Sequence, residues 1–216
     1  MATESAWNMP AGTLMQGKKG LVMGVANASS IAWGIASQLA AQGAELAFTY
    51  MGEGLERRVR PLAESVGAKL LIQADVTDDA SMDAAFEQLE KAFGTIDFVV
   101  HSVAFANKDE LKGSFVDNTS RDSFLLALNI SAFSFVDVAR RASRIMPNGG
   151  SLITMTYLAP SGPSRTTTPW AWPRRRWRRR PATSPATWAR AASAATPSRP
   201  GPCAPCLWPA SRADAA

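Results

Sequence analysis

The residues best suited to bind a phosphate-containing ligand lie in a turn of small residues from Gly24 to Gly34, GVANASSIAWG. Small residues let backbone amides approach a pyrophosphate, and Ser30 and Ile31 stand where a helix N-terminus would add its positive dipole. The turn is longer than the plain GxGxxG fingerprint, and Ser30-Ile31 occupies the place of an expected glycine. Taken alone it predicts a nucleotide site only weakly, and an ordinary glycine-containing turn is the alternative.

Further residues that could take part in chemistry lie toward the ends of two apolar runs. Asp75 and Val76 end the run LLIQADV, where an Asp side chain can meet the edge of an adenine ring. Capping of the following helix by Asp75 is an equal alternative. His101 lies in the run DFVVHSV, where a lone histidine is expected to be a packed strand-end residue rather than a catalyst.

Strand and helix patterns alternate along residues 1–158. Short apolar runs predict strands at residues 20–26, 45–50, 70–76, 97–103 and 150–156. Helical periodicity predicts helices from 31 to just before Gly43, over 54–66 with a kink at Pro61, around 82–93, and over 121–145. Nearly all-apolar strands predict a parallel sheet buried between helix layers, so the expected fold class is α/β with a Rossmann-type doubly wound sheet.

The first predicted helix makes two local expectations. Ser29 or Ser30 is expected to cap its N-terminus, and Ile31, Ile35 and Leu39 are expected to form its apolar face. In a sheet of this kind ligands bind at the carboxyl ends of the strands. The residues that follow each strand are therefore the candidates for chemistry.

The last 58 residues, 159–216, differ in composition from the rest of the chain. They hold 11 of the 14 prolines, five of the seven tryptophans and ten arginines, and Leu207 is their only branched aliphatic residue. Residues 1–158 carry a formal charge of −4 and residues 159–216 a charge of +9. Because so few apolar side chains cannot offset the entropy of ordering the chain, the sequence predicts a disordered basic tail.

The remaining composition excludes some classes of protein. Cys203 and Cys206 both lie in the tail, so the front portion has no disulfide framework, and one CxxC pair is weak evidence for zinc. We expect no bound metal. The sequence has no secretory signal and no apolar run of transmembrane length, which predicts a soluble, cytoplasmic protein without membrane partners.

Six strings, taken in order and spacing, are more specific than any single motif. They are GVANASSIAWGIA, GAELAFTY, ADVTDDAS, FVVHSVAFA, NISAFSF and GGSLITMTYL. Over residues 12–158 the sequence resembles the NADH-dependent enoyl-acyl-carrier-protein reductases of the short-chain dehydrogenase/reductase superfamily. The resemblance implies hydride transfer from NADH to a trans-2-enoyl thioester carried by acyl carrier protein, in bacterial type II fatty acid synthesis. It also implies a homotetramer.

The resemblance assigns cofactor contacts to particular positions. The pyrophosphate and ribose would meet Gly24, Ser30 and Ile31, the adenine would meet Asp75 and Val76, and the nicotinamide-side ribose would meet Val103. Met51 follows the second strand where related enzymes often carry Gln or a basic residue. Since no Arg is present there to bind a 2′-phosphate, NADH is favoured over NADPH.

On the substrate side, the resemblance assigns a contact to Ala106 and the first of two active-site tyrosines to Tyr157. The family then has a second Tyr and, after six intervening residues, a Lys that holds the cofactor ribose. In this sequence those two positions are Thr167 and Arg174. The chain therefore lacks both residues.

A single lost base near the codon of Leu158 explains the tail. Shifting inferred GC-rich codons by one base converts Ala159–Gly162 into the family string Gly-Ala-Glu-Arg and restores Tyr and Lys at 167 and 174. The same shift converts residues 196–202 into Asn-Ala-Ile-Ser-Ala-Gly-Pro, another family string. The rival interpretation is functional, because the segment 170–180 interleaves six arginines with tryptophans, as in nucleic-acid contacts.

These interpretations give a domain organisation and an activity expectation. We expect an N-terminal arm at 1–16, an incomplete dinucleotide-binding domain at 17–158 that ends after the fifth strand, and an out-of-frame, disordered tail at 159–216. As given, the chain is expected to be an inactive reductase whose fifth strand is an uncovered edge. The alternatives are a non-catalytic nucleotide-binding remnant and a tail that binds nucleic acid non-specifically.

Overall fold

The computed structural model describes residues 10–68, 70–111 and 115–155. Tyr157 and the tail from 159 to 216 lie outside the described residues, as do residues 1–9 of the expected arm. The strands are β1 (Lys19–Met23), β2 (Glu45–Tyr50), β3 (Leu70–Gln73), β4 (Phe98–His101) and β5 (Ser151–Thr154). The helices are α1 (Ile31–Ala41), α2 (Glu53–Ser65), α3 (Asp79–Phe93), α4 (Phe115–Asn118), α5 (Arg121–Leu128) and α6 (Ser134–Ala142).

The strands form one parallel sheet in the order β3-β2-β1-β4-β5. This order confirms the predicted Rossmann-type α/β fold, because the chain winds outward from β1 first to one side and then to the other. The strands predicted at 70–76 and 97–103 are shorter in the structure, where they end at Gln73 and His101. The residues just past the end of β3 and β4, including Asp75 and Val103, leave the sheet and form the loops at its carboxyl edge.

The sheet is covered on both faces by apolar clusters. Alternation along β1 sends Leu21 and Met23 into one cluster and Val22 into the other. The first cluster includes residues of α3 and α6, and the second includes residues of α1 and α2. Side chains of this type, removed from water on both faces of a parallel sheet, are the main source of its stability.

Helix α1 corrects one sequence expectation. Its buried residues are Ala32 and Ala36, while Ile35 and Leu39 pack at the edge of the cluster and Ile31 is 71% exposed. The predicted stripe is therefore wrong at Ile31. The helix turns its small residues toward the sheet, which lets it pack closely against β1 and β2 and leaves its first residue in solvent.

The predicted helix at 121–145 is one long helix with an interruption. It consists of α5, a π turn at Asn129–Phe133, α6 and a 3-10 turn at Ser143–Ile145, and we call residues 121–145 the long helix. In the π turn the Ser134 amide bonds to the Asn129 carbonyl, five residues back. The amphipathic pattern predicts the helix but carries no signal for the π turn.

By length and composition, the long helix is the one helix in the described part of the chain that could cross a membrane. The expectation of no apolar run of that length is therefore wrong for residues 121–145, which contain too few charged residues to fail the length and composition test. The helix nevertheless carries Asp137 and Arg141, both buried, and its α6 part packs on α3. We therefore interpret its apolar side chains as parts of the core and of a contact surface.

Arg141 fastens the long helix to α3. The guanidinium donates to Asp83 (Nε to Oδ1, 2.8 Å) and to Asp79 (Nη2 to Oδ1, 3.2 Å), and it also contacts the buried carboxylate of Asp137 one turn earlier. The Arg141 side chain is 3% exposed. A buried charge of this kind is tolerated only where it is paired, so the cluster fixes how the long helix sits over the sheet.

Asp97 ties three strands together just before β4. Its Oδ1 accepts from Lys18 Nζ at 2.8 Å and its Oδ2 accepts from the Lys19 amide at 2.9 Å. Its carbonyl also accepts from the Ser151 amide at 2.9 Å. The hydrogen bond from Lys18 is the main reason why the pKa of Asp97 is lowered. The fixed start of β1, β4 and β5 sets the register that aligns their carboxyl ends.

Candidate functional site

The carboxyl ends of the strands meet at one edge of the sheet. Met23 pairs with His101, and the Ser102 amide donates to the Met23 carbonyl at 3.1 Å. On the other side of β1, Tyr50 pairs with Gln73, and the Ala74 amide donates to the Tyr50 carbonyl at 2.9 Å. Strand order reverses at β1, so this edge is the switch point at which doubly wound sheets bind ligands.

Gly24 brings the loop after β1 against the loop after β4. Its φ is +89°, and a Cβ at this position would lie 2.1 Å from the Ser102 carbonyl oxygen and 3.2 Å from the Val103 amide nitrogen. Any side chain here would collide with backbone that cannot move away. The predicted residues Gly24 and Val103 are therefore neighbours, and the first position of the turn requires glycine.

Ser30 is the N-cap of α1, as predicted, but its hydroxyl does not cap a helix amide. Instead it donates to the Asn27 carbonyl at 2.6 Å, and the Asn27 side-chain oxygen accepts from the Ser29 amide at 2.8 Å. These bonds hold the turn in shape from within. They leave the start of α1 without a side-chain cap, with Ile31 exposed beside it, which is the arrangement that suits an anion at a helix N-terminus.

Asp75 does not cap the following helix, so that alternative is wrong. The N-cap of α3 is Asp78, which accepts from the Ala80 amide at 3.0 Å. Asp75 Oδ1 accepts from the amide (2.9 Å) and the hydroxyl (2.7 Å) of Thr77, which fixes the turn after β3. Val76 is partly buried against the core cluster under α3. Asp75 as a whole is half-buried at the carboxyl edge of the sheet.

Met51 directly follows β2 and is 58% exposed. Beside it, burial raises the pKa of Tyr50, and Glu56 adds to this effect. The hydrogen bond from Arg60 lowers the pKa of Glu56, with which Arg60 forms an ion pair one turn along α2. Arg60, the basic group that acts on Tyr50 next to Met51, is therefore already paired with a carboxylate.

The loop after β4 carries Val103 and Ala106, and Ala106 is half-buried. Phe105, between them, forms two hydrogen bonds with Ser131 of the π turn. Its amide donates to Ser131 Oγ at 3.0 Å, and Ser131 Oγ donates to the Phe105 carbonyl at 3.3 Å. Farther along, Glu110 Oε1 accepts from the amide and hydroxyl of Ser120, both at 3.1 Å. The loop is thus held by Ser131 of the long helix and by Ser120, the residue just before that helix begins.

His101 is fully buried, which confirms its interpretation as a packed strand-end residue. Its Nε2 lies 2.9 Å from Ser134 Oγ, and its ring meets Phe135 edge-on at 5.6 Å. Because Ser134 Oγ already donates to the Ile130 carbonyl at 2.5 Å, it accepts from His101, and Nε2 carries the hydrogen. This contact joins the end of β4 to the long helix.

Sequence reasoning missed Ser131 and Ser134 as parts of the site. The available signal was the two serines spaced three apart in NISAFSF, within an otherwise apolar stretch of a predicted helix. Polar residues on a buried helix face need partners, which would have directed attention to the neighbouring strand end. Among the residues that the structure describes, no group of three or more His, Cys, Asp or Glu could hold a metal ion.

Comparisons with known proteins agree with this geometry. Residues 24–167 match the family model described as enoyl-(acyl carrier protein) reductase. Enoyl-[acyl-carrier-protein] reductase [NADH] 2 of Rhizobium meliloti is 54% identical over 144 residues, which are 67% of this chain and 53% of that protein. The corresponding NADH enzyme of Bacillus cereus is 56% identical over 147 residues, which are 67% of this chain and 57% of that protein.

Solved structures give the same result. The Anaplasma phagocytophilum reductase in complex with NAD has a TM-score of 0.67 and 51% identity, covering 69% of this chain and 57% of its own. The Bacillus cereus reductase with NADP+ and indole naphthyridinone has a TM-score of 0.70 and 49% identity, covering 76% and 63%. The chain spans about half the length of the curated relatives that it matches. With its sheet order, its turn after β1 and its match to the family model, the chain belongs to the enoyl-(acyl-carrier-protein) reductase family.

Proposed function

We propose that this chain binds NADH along the carboxyl edge of the sheet, and that its reaction is the reduction of a trans-2-enoyl thioester on acyl carrier protein. The observation that carries the proposal is the meeting of the loops after β1 and β4 at the switch point, where Gly24 lies against Ser102 and Val103. Relatives of this family are named for NADH and for enoyl-acyl-carrier-protein.

The residues at this edge fit a dinucleotide. The start of α1 has no side-chain cap and would hold the pyrophosphate, with Gly24, Ser30 and Ile31 around it. Asp75 and Val76 would contact the adenine, and Val103 would contact the ribose beside the nicotinamide. Exposed Met51 offers no cation for a 2′-phosphate, and nearby Arg60 is paired with Glu56. This arrangement of Met51, Arg60 and Glu56 favours NADH over NADPH.

When bound, the nicotinamide supplies the hydride that reduces the β-carbon of the thioester. We propose that Ala106 contacts the acyl substrate and that Tyr157 helps stabilise the enolate oxygen. The family's second tyrosine and its lysine correspond to Thr167 and Arg174 in this sequence. Without a phenol and an ammonium group at those positions, we expect NADH binding with little or no turnover.

The binding proposal is tested by placing a negative charge at the start of α1. Ile31→Glu changes a side chain that is 71% exposed, and an acidic residue in the first turn favours the helix, so the fold should be kept. The charge would repel the pyrophosphate, and we expect NADH affinity, measured by fluorescence titration, to fall at least about tenfold.

The matched control is Leu14→Glu, which makes the same change of charge at a position that is 83% exposed and lies beyond the other end of α1. It should bind NADH as the unchanged chain does. Equal affinities of the unchanged chain and the Ile31→Glu variant would contradict the proposed site.

The activity proposal is tested with crotonyl thioester and NADH. The chain as given should show no oxidation of NADH above background, at a concentration where it binds the cofactor. The same protein with its reading frame restored after Leu158 should oxidise NADH in the presence of the thioester. Turnover by the chain as given at a rate similar to that of the restored protein would overturn the role assigned to the second tyrosine and the lysine.

Two further properties belong to this proposal. A homotetramer is supported by exposed apolar side chains on the long helix, namely Leu125, Leu126, Phe133 and Val136. We propose a cytoplasmic location and only non-specific nucleic-acid binding, through the ten arginines of the tail. Analytical sedimentation measures the oligomeric state. For the tail, retention on DNA should fall as the salt concentration rises and should disappear when residues 159–216 are removed.

A further inference from the structure

Hydrogen bonds hold the loop that joins β4 to the 3-10 turn at Lys108–Leu111 at its start, its middle and its end. At the start the Ser102 amide bonds to the Met23 carbonyl, and at the end Glu110 accepts from Ser120. Between them, Phe105, which is next to Ala106, forms two hydrogen bonds with Ser131. Phe105 itself is 42% exposed, so packing of its side chain does little to hold this part of the loop.

Ser131 is suited to hold that backbone in one position. It is 1% exposed, and its single hydroxyl accepts from the Phe105 amide and donates to the Phe105 carbonyl. A hydroxyl that both accepts from and donates to one residue fixes the distance and the rotation of that peptide segment. Because these two backbone groups are partly buried and need partners, removing the hydroxyl leaves the amide and the carbonyl to find others.

The π turn is what presents Ser131 and Ser134 together to this end of the sheet. Ser134 Oγ bonds to buried His101 at the end of β4, and Ser131 bonds to Phe105 four residues farther along the chain. The two serines therefore hold the strand end and the loop after it on the same helix. Movement of the π turn would carry with it the residues on either side of Phe105.

We infer that Ser131 is a positioning residue, which sets the place of Val103 and Ala106 against the nicotinamide half of the cofactor and the acyl substrate. This inference rests on the proposed function. Because Ser131 is 1% exposed, it would act through the Phe105 backbone and not by contact with either ligand. A role of this kind should affect binding of the nicotinamide half and leave the adenosine half, held by the ends of β1 and β3, unchanged.

The test compares NADH with ADP on the full chain. Ser131→Ala removes both hydrogen bonds to Phe105 and should weaken NADH binding about fivefold through the displaced loop, an effect about the size of one net hydrogen bond, and leave ADP affinity unchanged. In the absence of any nucleotide, the Phe105 amide should exchange with solvent about tenfold faster, as measured by NMR or mass spectrometry. Ser131→Cys keeps a side chain of similar volume with a weaker donor and acceptor. Its NADH affinity and its Phe105 exchange rate should therefore lie between those of the unchanged chain and those of Ser131→Ala.

The matched control is Ser143→Ala, which removes an exposed serine hydroxyl of the long helix that donates to the Arg140 carbonyl at 2.8 Å. It should change none of these measurements. Unchanged NADH affinity in Ser131→Ala, or an equal loss for NADH and ADP, would overturn the positioning role while leaving the proposed function intact. Failure of the unchanged chain to bind either nucleotide would overturn the proposed function, and the inference with it.

Discussion

Strands β4 and β5 are neighbours of similar composition with very different surroundings. Val99 and Val100 of β4 are 1% and 0% exposed, whereas their register partners Leu152 and Ile153 in β5 are 38% and 44% exposed. Strand β4 lies between β1 and β5, and both of its faces are covered by helices. Within the described residues β5 pairs with β4 alone. Apolar composition therefore makes a strand, but covering layers decide how much that strand contributes to stability.

The largest expected effect comes from placing the same charge in each of the paired residues. Val100→Asp buries an unpaired carboxylate in the centre of the sheet and should cost more than about 4 kcal/mol, enough to unfold the domain. Ile153→Asp places the charge on an exposed edge and should cost less than about 1 kcal/mol. Far-UV circular dichroism with urea titration measures both.

The edge variant has a second expected result. An open strand with exposed Leu152 and Ile153 is a template for association, and a charge on it opposes pairing. Ile153→Asp should therefore raise the concentration at which the chain stays monodisperse. Equal destabilisation by the two substitutions would show that β5 is covered in solution and would remove the contrast.

A contrast of the same kind exists within the long helix, between two adjacent arginines. Arg141 is 3% exposed and Arg140 is 60% exposed, and both contact Asp137. Arg141→Ala leaves buried Asp137 without its buried partner and frees Asp79 and Asp83, so we expect a loss of about 3 kcal/mol of unfolding free energy. Arg140→Ala should cost less than about 1 kcal/mol. Comparable losses from both would mean that the helix is not anchored through α3.

The smallest effect concerns the other end of the sheet, where Asp97 joins β1, β4 and β5. Its folded-state pKa lies below its unfolded value, so its stabilisation is present above the unfolded pKa and is lost as the pH falls through the folded one. Since Lys18 and Asp97 are partly exposed, we expect Asp97→Asn to cost only about 1 kcal/mol near pH 7.

This difference between the unchanged chain and Asp97→Asn should begin to shrink below about pH 4, where the carboxylate of the unfolded chain takes up a proton, and should disappear once the pH is below the lowered pKa of the folded state. Urea titrations from pH 3 to pH 7 measure it. Glu87→Gln, which removes an exposed carboxylate from α3, controls for the change in net charge. A difference that grows as the pH falls would contradict the role of the carboxylate.

The sequence predicts the fold from features that recur along the chain, and it predicts least where one contact decides the outcome. Apolar runs and helical periodicity located all five strands and the main helices, because burial in a doubly wound sheet leaves a strong pattern. Periodicity placed Ile31 in the core, but the close packing of Ala32 and Ala36 left it exposed. The glycine at position 24 was identified, whereas its collision partner, Ser102, depends on how β4 lies beside β1.

The candidate site shows the same division. The strand-end positions follow from topology, so Asp75 and Val103 could be proposed from the sequence. Asp78 rather than Asp75 caps α3, because the turn after β3 uses the Asp75 carboxylate for Thr77. Ser131 and Ser134 could be noted as polar residues in an apolar stretch, but their partners could not be assigned, because the fold brings His101 and Phe105 to them and helical periodicity does not record such long-range contacts.

The π turn also lets the long helix hold one more residue than regular winding would place between α5 and α6. In a regular helix one additional residue would rotate everything beyond it by about 100°, but the wider turn takes up that rotation. Deletion of one residue between Asn129 and Phe133 should therefore restore regular winding with the Arg141 guanidinium still facing Asp83. What the extra residue supplies is the placement of Ser131 against Phe105 and of Ser134 against His101, so a shortened segment would keep the anchor on α3 and lose its hold on the loop.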